Sequence, residues 1–262
     1  MIQFGNDKIK EIYHGSDKIK EVYYGSELVY TAHDPRGYWV HKDTGVKTYF
    51  GLDADFITNG IMSEPSWKLD CSEVNIPEGV TSLGAYCFYY CTSLTSITLP
   101  ESVTSLGAGC FYECTSLTSI TLPESVEDLG NYCFSGCSSL TSINIPEGVT
   151  SLGDSCFYWC TSLTSITLPD SATRLGQNCF YECSSLPSIN IPESVTSIGF
   201  QCFSGCASLT LATVLPAIPP TLGTNAFNNV HPSFNIKVRS PYVNDYKTAT
   251  NWTAYADKIS AI

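Results

Sequence analysis

From about Asn75 to Leu209 the apolar positions recur every 23 residues, and within each period their rhythm changes twice. In Leu94-Thr95-Ser96-Ile97-Thr98-Leu99-Pro100, Ile97 and Leu99 alternate with Ser96 and Thr98, the two-residue period of a strand with one buried face. Pro100 ends that strand, and Val103-Thr104-Ser105-Leu106-Gly107 returns along a second side with Val103 and Leu106 inward. Cys110-Phe111-Tyr112-Glu113-Cys114 then places two cysteines four apart, the spacing of one face of a single helical turn, leaving Tyr112 and Glu113 on the wet side. Burying roughly six apolar side chains per unit yields roughly 9–18 kcal/mol, whereas ordering a unit of this length costs roughly 35 kcal/mol. A unit cannot fold alone, so the pattern implies a mainly β solenoid stabilised by stacking.

Phe88, Phe111, Phe134, Phe157, Phe180 and Phe203 mark six full coils. A seventh keeps Leu222-Gly223 and Ala226-Phe227 but has lost both cysteines and gained Pro216, Pro219 and Pro220. A longer period lies above the first: Asn75–Ile143 matches Asn144–Ala212 at about 70% identity, so a three-coil block is duplicated. Before the array, Lys8-Ile9-Lys10-Glu11-Ile12-Tyr13 and Lys18-Ile19-Lys20-Glu21-Val22-Tyr23 repeat between Gly-Ser turns and read as a β-meander. Strand patterns at 37–41 and 46–50 extend this to a β-rich module with an aromatic core of Tyr13, Tyr23, Tyr30, Tyr38, Trp39, Tyr49 and Phe50. The expected organisation is therefore an N-terminal module over 1–60, a solenoid over 61–230 and a C-terminal cap over 231–262. In the cap, a strand at 234–238, a helix at 243–249 and the apolar Trp252, Tyr255 and Ile259 would cover the open end of the stack.

Composition narrows the function. A formal charge of -12 argues against nucleic acid, whose phosphates require a basic stripe. No apolar stretch is long enough to insert into a membrane, and the first residues carry no secretion signal. Of thirteen cysteines, twelve form six C-x-x-x-C pairs in phase with the repeat. Two such pairs could supply four thiolates to zinc, but no histidine accompanies them and their phase points inward. They read as reduced packing residues, with Cys71 filling the place of Leu94 in an incomplete first coil; neither metal nor cofactor is expected. Asp53, Asp55 and Glu64 only partly imitate a calcium loop. Glu78, Glu101, Glu124, Glu147, Asp170 and Glu193 form an acidic column after the strand-ending prolines, read as a solvated edge. Asn251-Trp252-Thr253 is a formal glycosylation sequon. His14, His33, His41 and His231 stand outside the array, no catalytic constellation is present, and the chain reads as a non-enzyme.

The unit Cys91-Thr92-Ser93-Leu94-Thr95-Ser96-Ile97-Thr98-Leu99-Pro100, followed by Val103-Thr104-Ser105-Leu106-Gly107 and Phe-x-x-Cys, resembles the BspA-like, or Treponema pallidum-type, leucine-rich repeat. The proline after the strand and the cysteine before it are the specific features, and the resemblance covers about half of the chain. It implies a right-handed leucine-rich-repeat solenoid, a place outside the cell or on its surface, and a role in adhesion through protein or glycan partners. Without a signal sequence, a virion-associated or cytoplasmic place stays open. Coils of the family usually carry alanine where this chain has Cys87, Cys110, Cys133, Cys156, Cys179 and Cys202, a swap of one small buried residue for another.

Differences between coils concentrate at the two residues inside each Phe-x-x-Cys and at the pair after each glycine, such as Ala85-Tyr86. The exposed aromatic row there is the candidate binding site, comprising Tyr89, Tyr90, Tyr112, Glu113, Tyr158, Trp159, Tyr181 and Glu182. Aromatic side chains stack on sugars and anchor protein interfaces. The expected function is non-enzymatic binding or adhesion. The alternative is a structural or receptor-binding component of a phage or surface assembly, attached through its N-terminal module.

Overall fold

The computed structural model describes residues 71–262 throughout and, among the first seventy, the backbone of six strands. These pair as antiparallel hairpins: β1 (Ile12–His14) with β2 (Asp17–Ile19), β3 (Glu21–Tyr24) with β4 (Glu27–Thr31), and β5 (Gly37–His41) with β6 (Lys47–Phe50). Contacts divide the chain into Met1–Arg36 and Gly37–Ile262, so the third hairpin falls with the array. It does so because a parallel stack begins with an open edge: β5 pairs antiparallel with β7 (Cys71–Asn75), which pairs parallel with Ser96–Thr98. The side chains of the expected aromatic core of the N-terminal module, and the residues of the calcium-loop imitation, lie outside what the structure describes.

About eight coils stack into the solenoid. One side is a seven-stranded parallel sheet of two-residue strands, running from Ser82–Leu83 to Thr221–Leu222. The other carries strands such as Ser142–Asn144, Ser165–Thr167 and Ser188–Ile191, whose register advances by one repeat, Ile143 opposite Ile166. The strand pattern fulfils the alternation: Ile97 is buried between exposed Ser96 and Thr98, and Val103 and Leu106 are wholly buried.

Inside, the phenylalanines form one continuous ladder. Rings from Phe88 to Phe234 succeed one another at centroid separations of 5.1–5.4 Å. Each stacked pair adds about 0.5–1.5 kcal/mol beyond its buried area. This contact exists only between coils, which explains why stacking and not the single coil is the folding unit.

The cysteine segment differs from the helical turn that its spacing predicts. The N–H groups of Cys87, Tyr89 and Cys91 donate within their own coil to the carbonyls of Gly84, Tyr86 and Phe88. The intervening N–H groups of Tyr86, Phe88 and Tyr90 donate to Ala108, Cys110 and Tyr112 of the next coil, at 2.7–2.8 Å. An α-helix would keep all these bonds internal. Linked reverse turns give every second one to the stack, so the backbone is satisfied and the coils are tied together. Among the described residues the α-helix is α1 (Val243–Thr248), inside the cap.

The cap closes the array as the apolar tail suggests. Asn235–Val238 and Ile259–Ala261 add two parallel strands. Trp252 is wholly buried, lies 6.3 Å from Phe227, meets Tyr246 edge-on at 4.9 Å, and donates its indole N–H to the Pro220 carbonyl at 2.8 Å. The Tyr246 hydroxyl donates to the Pro216 carbonyl at 2.9 Å. The proline cluster of the degraded coil thereby supplies acceptors to the cap.

Candidate functional site

Alternating bonds in the turn segment demand a left-handed residue at two places in every coil, four residues apart. In the first full coil these are Tyr86 at φ 58° and Tyr90 at φ 57°; in the fourth, Ser155 at 56° and Trp159 at 59°. An L side chain in this region costs roughly 1–2 kcal/mol, and glycine and asparagine bear it best. The same columns do contain Gly109, Gly136, Gly205, Asn225 and Asn229. Yet Tyr90 and Trp159 hold large rings there that stay 44% and 52% exposed. Core packing accounts for neither.

The candidate residues form two clusters separated by one coil. In the first, Tyr89 and Tyr112 stack at 5.4 Å, with Tyr90 at 4.4 Å from Tyr89 and Tyr86 meeting Tyr89 edge-on at 5.7 Å. In the second, Tyr158 and Tyr181 stack at 5.0 Å with rings 9° from parallel, and Trp159 lies 6.2 Å from Tyr158. Tyr89, Tyr112, Tyr158 and Tyr181 are partly buried, so their rings also shield the backbone beneath them. Glu113 and Glu182, also left-handed, each lie over a glycine of the next coil: a Cβ on Gly136 or Gly205 would fall within 2.5–3.0 Å of the carboxyl atoms. Burial raises the Glu113 carboxyl above its usual range. Burial likewise raises the Tyr112 phenol, with smaller contributions from Glu113, Tyr90, Tyr89 and Tyr158.

The left-handed geometry itself, and the exposed Tyr132 in the same column as Tyr86, were not read from the sequence. The signal was present: a column that mixes tyrosine and tryptophan with glycine and asparagine marks a positive φ.

All thirteen cysteines are buried, in two columns apart from Cys71. In the second column the thiols of Cys114, Cys137, Cys160, Cys183 and Cys206 donate to the carbonyls of Phe88, Phe111, Phe134, Phe157 and Phe180, at 3.1–3.2 Å. In the first, Ala226 takes the cysteine's place in the seventh coil and is equally buried. Burial pushes the thiols from Cys110 to Cys206 upward, Cys156 and Cys206 to about 12. Among the described residues no group of histidine, cysteine and carboxylate side chains is arranged to hold a metal.

Some of the remaining candidate features have structural partners. In the acidic column the Asp170 N–H donates to Glu147 at 3.0 Å, and Glu193 accepts from Arg239 at 2.8 Å. The His231 ring nitrogen Nδ1 accepts from the Ser233 N–H. The sequon's Asn251 is left-handed at φ 65° and donates its amide to the Leu222 carbonyl, so it belongs to the cap. Beside the strand face, Thr95, Thr141 and Thr164 donate their hydroxyls to carbonyls of the preceding coil, which occupies part of that surface. No helix among the described residues is long and apolar enough to cross a membrane.

Comparison with known proteins places this geometry in context. Residues 66–186 and 150–247 match the sequence profile of the BspA type leucine rich repeat region, in six copies. The leucine-rich-repeat protein of Treponema pallidum is similar in structure, at 30% identity and a TM-score of 0.56, over 60% of this chain and 76% of that one. A leucine-rich-repeat protein of Bacteroides ovatus is 25% identical with a TM-score of 0.56; the match covers 73% of this chain and 54% of the other. No curated protein matches the chain.

Proposed function

For a chain that belongs to the BspA-type leucine-rich-repeat family, we propose non-enzymatic recognition of a protein or glycan partner, in an adhesive role at a cell surface, through the turn face of the solenoid. The observation that carries this reading is the pair Tyr90 and Trp159: bulky, exposed rings held in a backbone conformation that glycine adopts at the equivalent Gly136 and Gly205. Strain kept where packing gains little from it is a mark of binding surfaces. The family's association with protein interaction supports the partner class, and its surface-displayed members support the location.

A binding screen of the whole chain against extracellular matrix proteins and an array of neutral and acidic glycans tests the proposal. Tyr90→Gly and Trp159→Gly variants keep the backbone and remove the rings. Partners that bind wild type and lose at least about tenfold in affinity with either variant support the reading, since an aromatic anchor is worth about 2 kcal/mol or more. Undiminished binding in both variants removes the turn face from the function. The compact unit Met1–Arg36, distinct by its contacts, favours a second reading as a structural component of a phage or surface assembly. Genes for tail or capsid proteins beside this one would favour the second reading.

A further inference from the structure

The duplicated block interrupts the turn face twice. In the third and sixth coils the two residues after the core phenylalanine are Ser135-Gly136 and Ser204-Gly205, small and buried. Each pair forms the floor of a notch one coil wide. At the first notch, Tyr112 and Glu113 occupy the coil before, and Tyr158 and Trp159 the coil after. At the second, Tyr181 and Glu182 are followed by Asn228 and Asn229, so the second aromatic wall is missing. In both, the carboxylate lies upon the glycine floor, in space that any side chain at 136 or 205 would take.

We propose that the first notch receives one cationic side chain, arginine or lysine, from a protein partner, with the Glu113 carboxylate accepting its N–H bonds and the Tyr112 and Trp159 rings offering their electron-rich faces to its charge. The inference rests on the turn face being the binding surface. The chemistry follows from three observations. Ring faces attract ammonium and guanidinium groups, most strongly where water is partly excluded. Glu113 is partly buried, and the one basic residue between Cys71 and Val230 is Arg174, which pairs with Asp154 at 2.7 Å. Twelve carboxylates occupy that same stretch, so the array's field draws cations and repels acidic glycans. The coils that carry Tyr112 and Trp159 lie two strand spacings apart, about 9.6 Å, with the small Ser135-Gly136 coil between them.

The test uses the full chain carrying 5-fluorotryptophan, with the Trp159 fluorine signal assigned by Trp159→Phe. The probes are a blocked Gly-Gly-Arg-Gly-Gly peptide, its citrulline counterpart, which keeps the shape and loses the charge, and a set of neutral oligosaccharides. The arginine peptide is expected to shift the Trp159 signal saturably and the citrulline peptide to leave it unmoved. Glu113→Gln should weaken the arginine peptide about tenfold, the loss of one charge-assisted hydrogen bond, while Glu182→Gln stays within about twofold. Equal binding by the citrulline peptide, indifference to Glu113→Gln, or a signal that only oligosaccharides move overturns the proposal. So does a Trp159 signal that no probe moves. Each of those results leaves the turn-face reading to be decided by the partner screen with Tyr90→Gly, a residue that forms neither the floor nor a wall of the notch.

Discussion

Trp159 is held at φ 59° while half of its surface meets solvent, and Gly136 and Gly205 occupy the same place in the third and sixth coils at φ 76° and 78°. Replacing it with glycine removes a left-handed side chain and loses only a partial contact with Tyr158. Trp159→Gly is therefore expected to leave folding stability unchanged or raise it by up to about 1 kcal/mol, measured by urea unfolding, while binding is lost. A drop of several kcal/mol would make Trp159 a packing residue. The thiols present the opposite case, chemically conspicuous yet sealed. With Cys156 and Cys206 pushed up to about 12 by burial, only about one thiol in ten thousand is ionised at pH 8, and the thiolate is the reacting form. Ellman's reagent is expected to find almost no reactive thiols in the native protein and all thirteen after denaturation without reductant. Fewer than thirteen would reveal disulfides.

Within an element, the contact that governs coil spacing is made by the glycine that ends each two-residue strand. A Cβ on Gly130 would lie 2.5 Å from the backbone nitrogen of Ala108 and 2.6 Å from the Gly107 carbonyl carbon, with no flexible group to yield. Gly130→Ala is expected to destabilise by about 2–3 kcal/mol, read from the unfolding midpoint. Gly136→Ala meets only the movable Glu113 carboxyl and the burden of its own left-handed backbone, so the same substitution acts there by another route. The repeat of Leu-Gly is plain in the sequence; its reason, backbone against backbone across coils, appears only when the coils are stacked.

Across residues 71–262 the coils form a one-dimensional stack whose ends must be closed. Trp252 is the largest wholly buried side chain among the described residues and joins the cap to both the phenylalanine ladder and the Pro220 carbonyl. Trp252→Ala is expected to cost about 3–5 kcal/mol and to expose the last coil. Size-exclusion chromatography should then show association that wild type lacks, since an uncovered edge pairs with other chains. A monomer of unchanged stability would mean that the cap is dispensable.

Much of this was legible in the residues. The 23-residue period, the alternation in Ser96-Ile97-Thr98 and the closing strand near 234–238 each depend on local pattern, and a period that repeats cannot bury its apolar face except against its own copies. The chain of residues alone also marked the variable pairs of the turn face. It misread the cysteine segment as helical, because spacing four apart describes an α-helical face equally well as linked turns. Whether alternate N–H groups bond inside the coil or along the stack depends on the neighbouring coil's carbonyls. Likewise, only the stacked structure decided that the third hairpin closes the array, that two columns are left-handed, and that Glu113 lies over Gly136. These are relations between residues a full repeat or more apart, set by contact in space and not by local pattern.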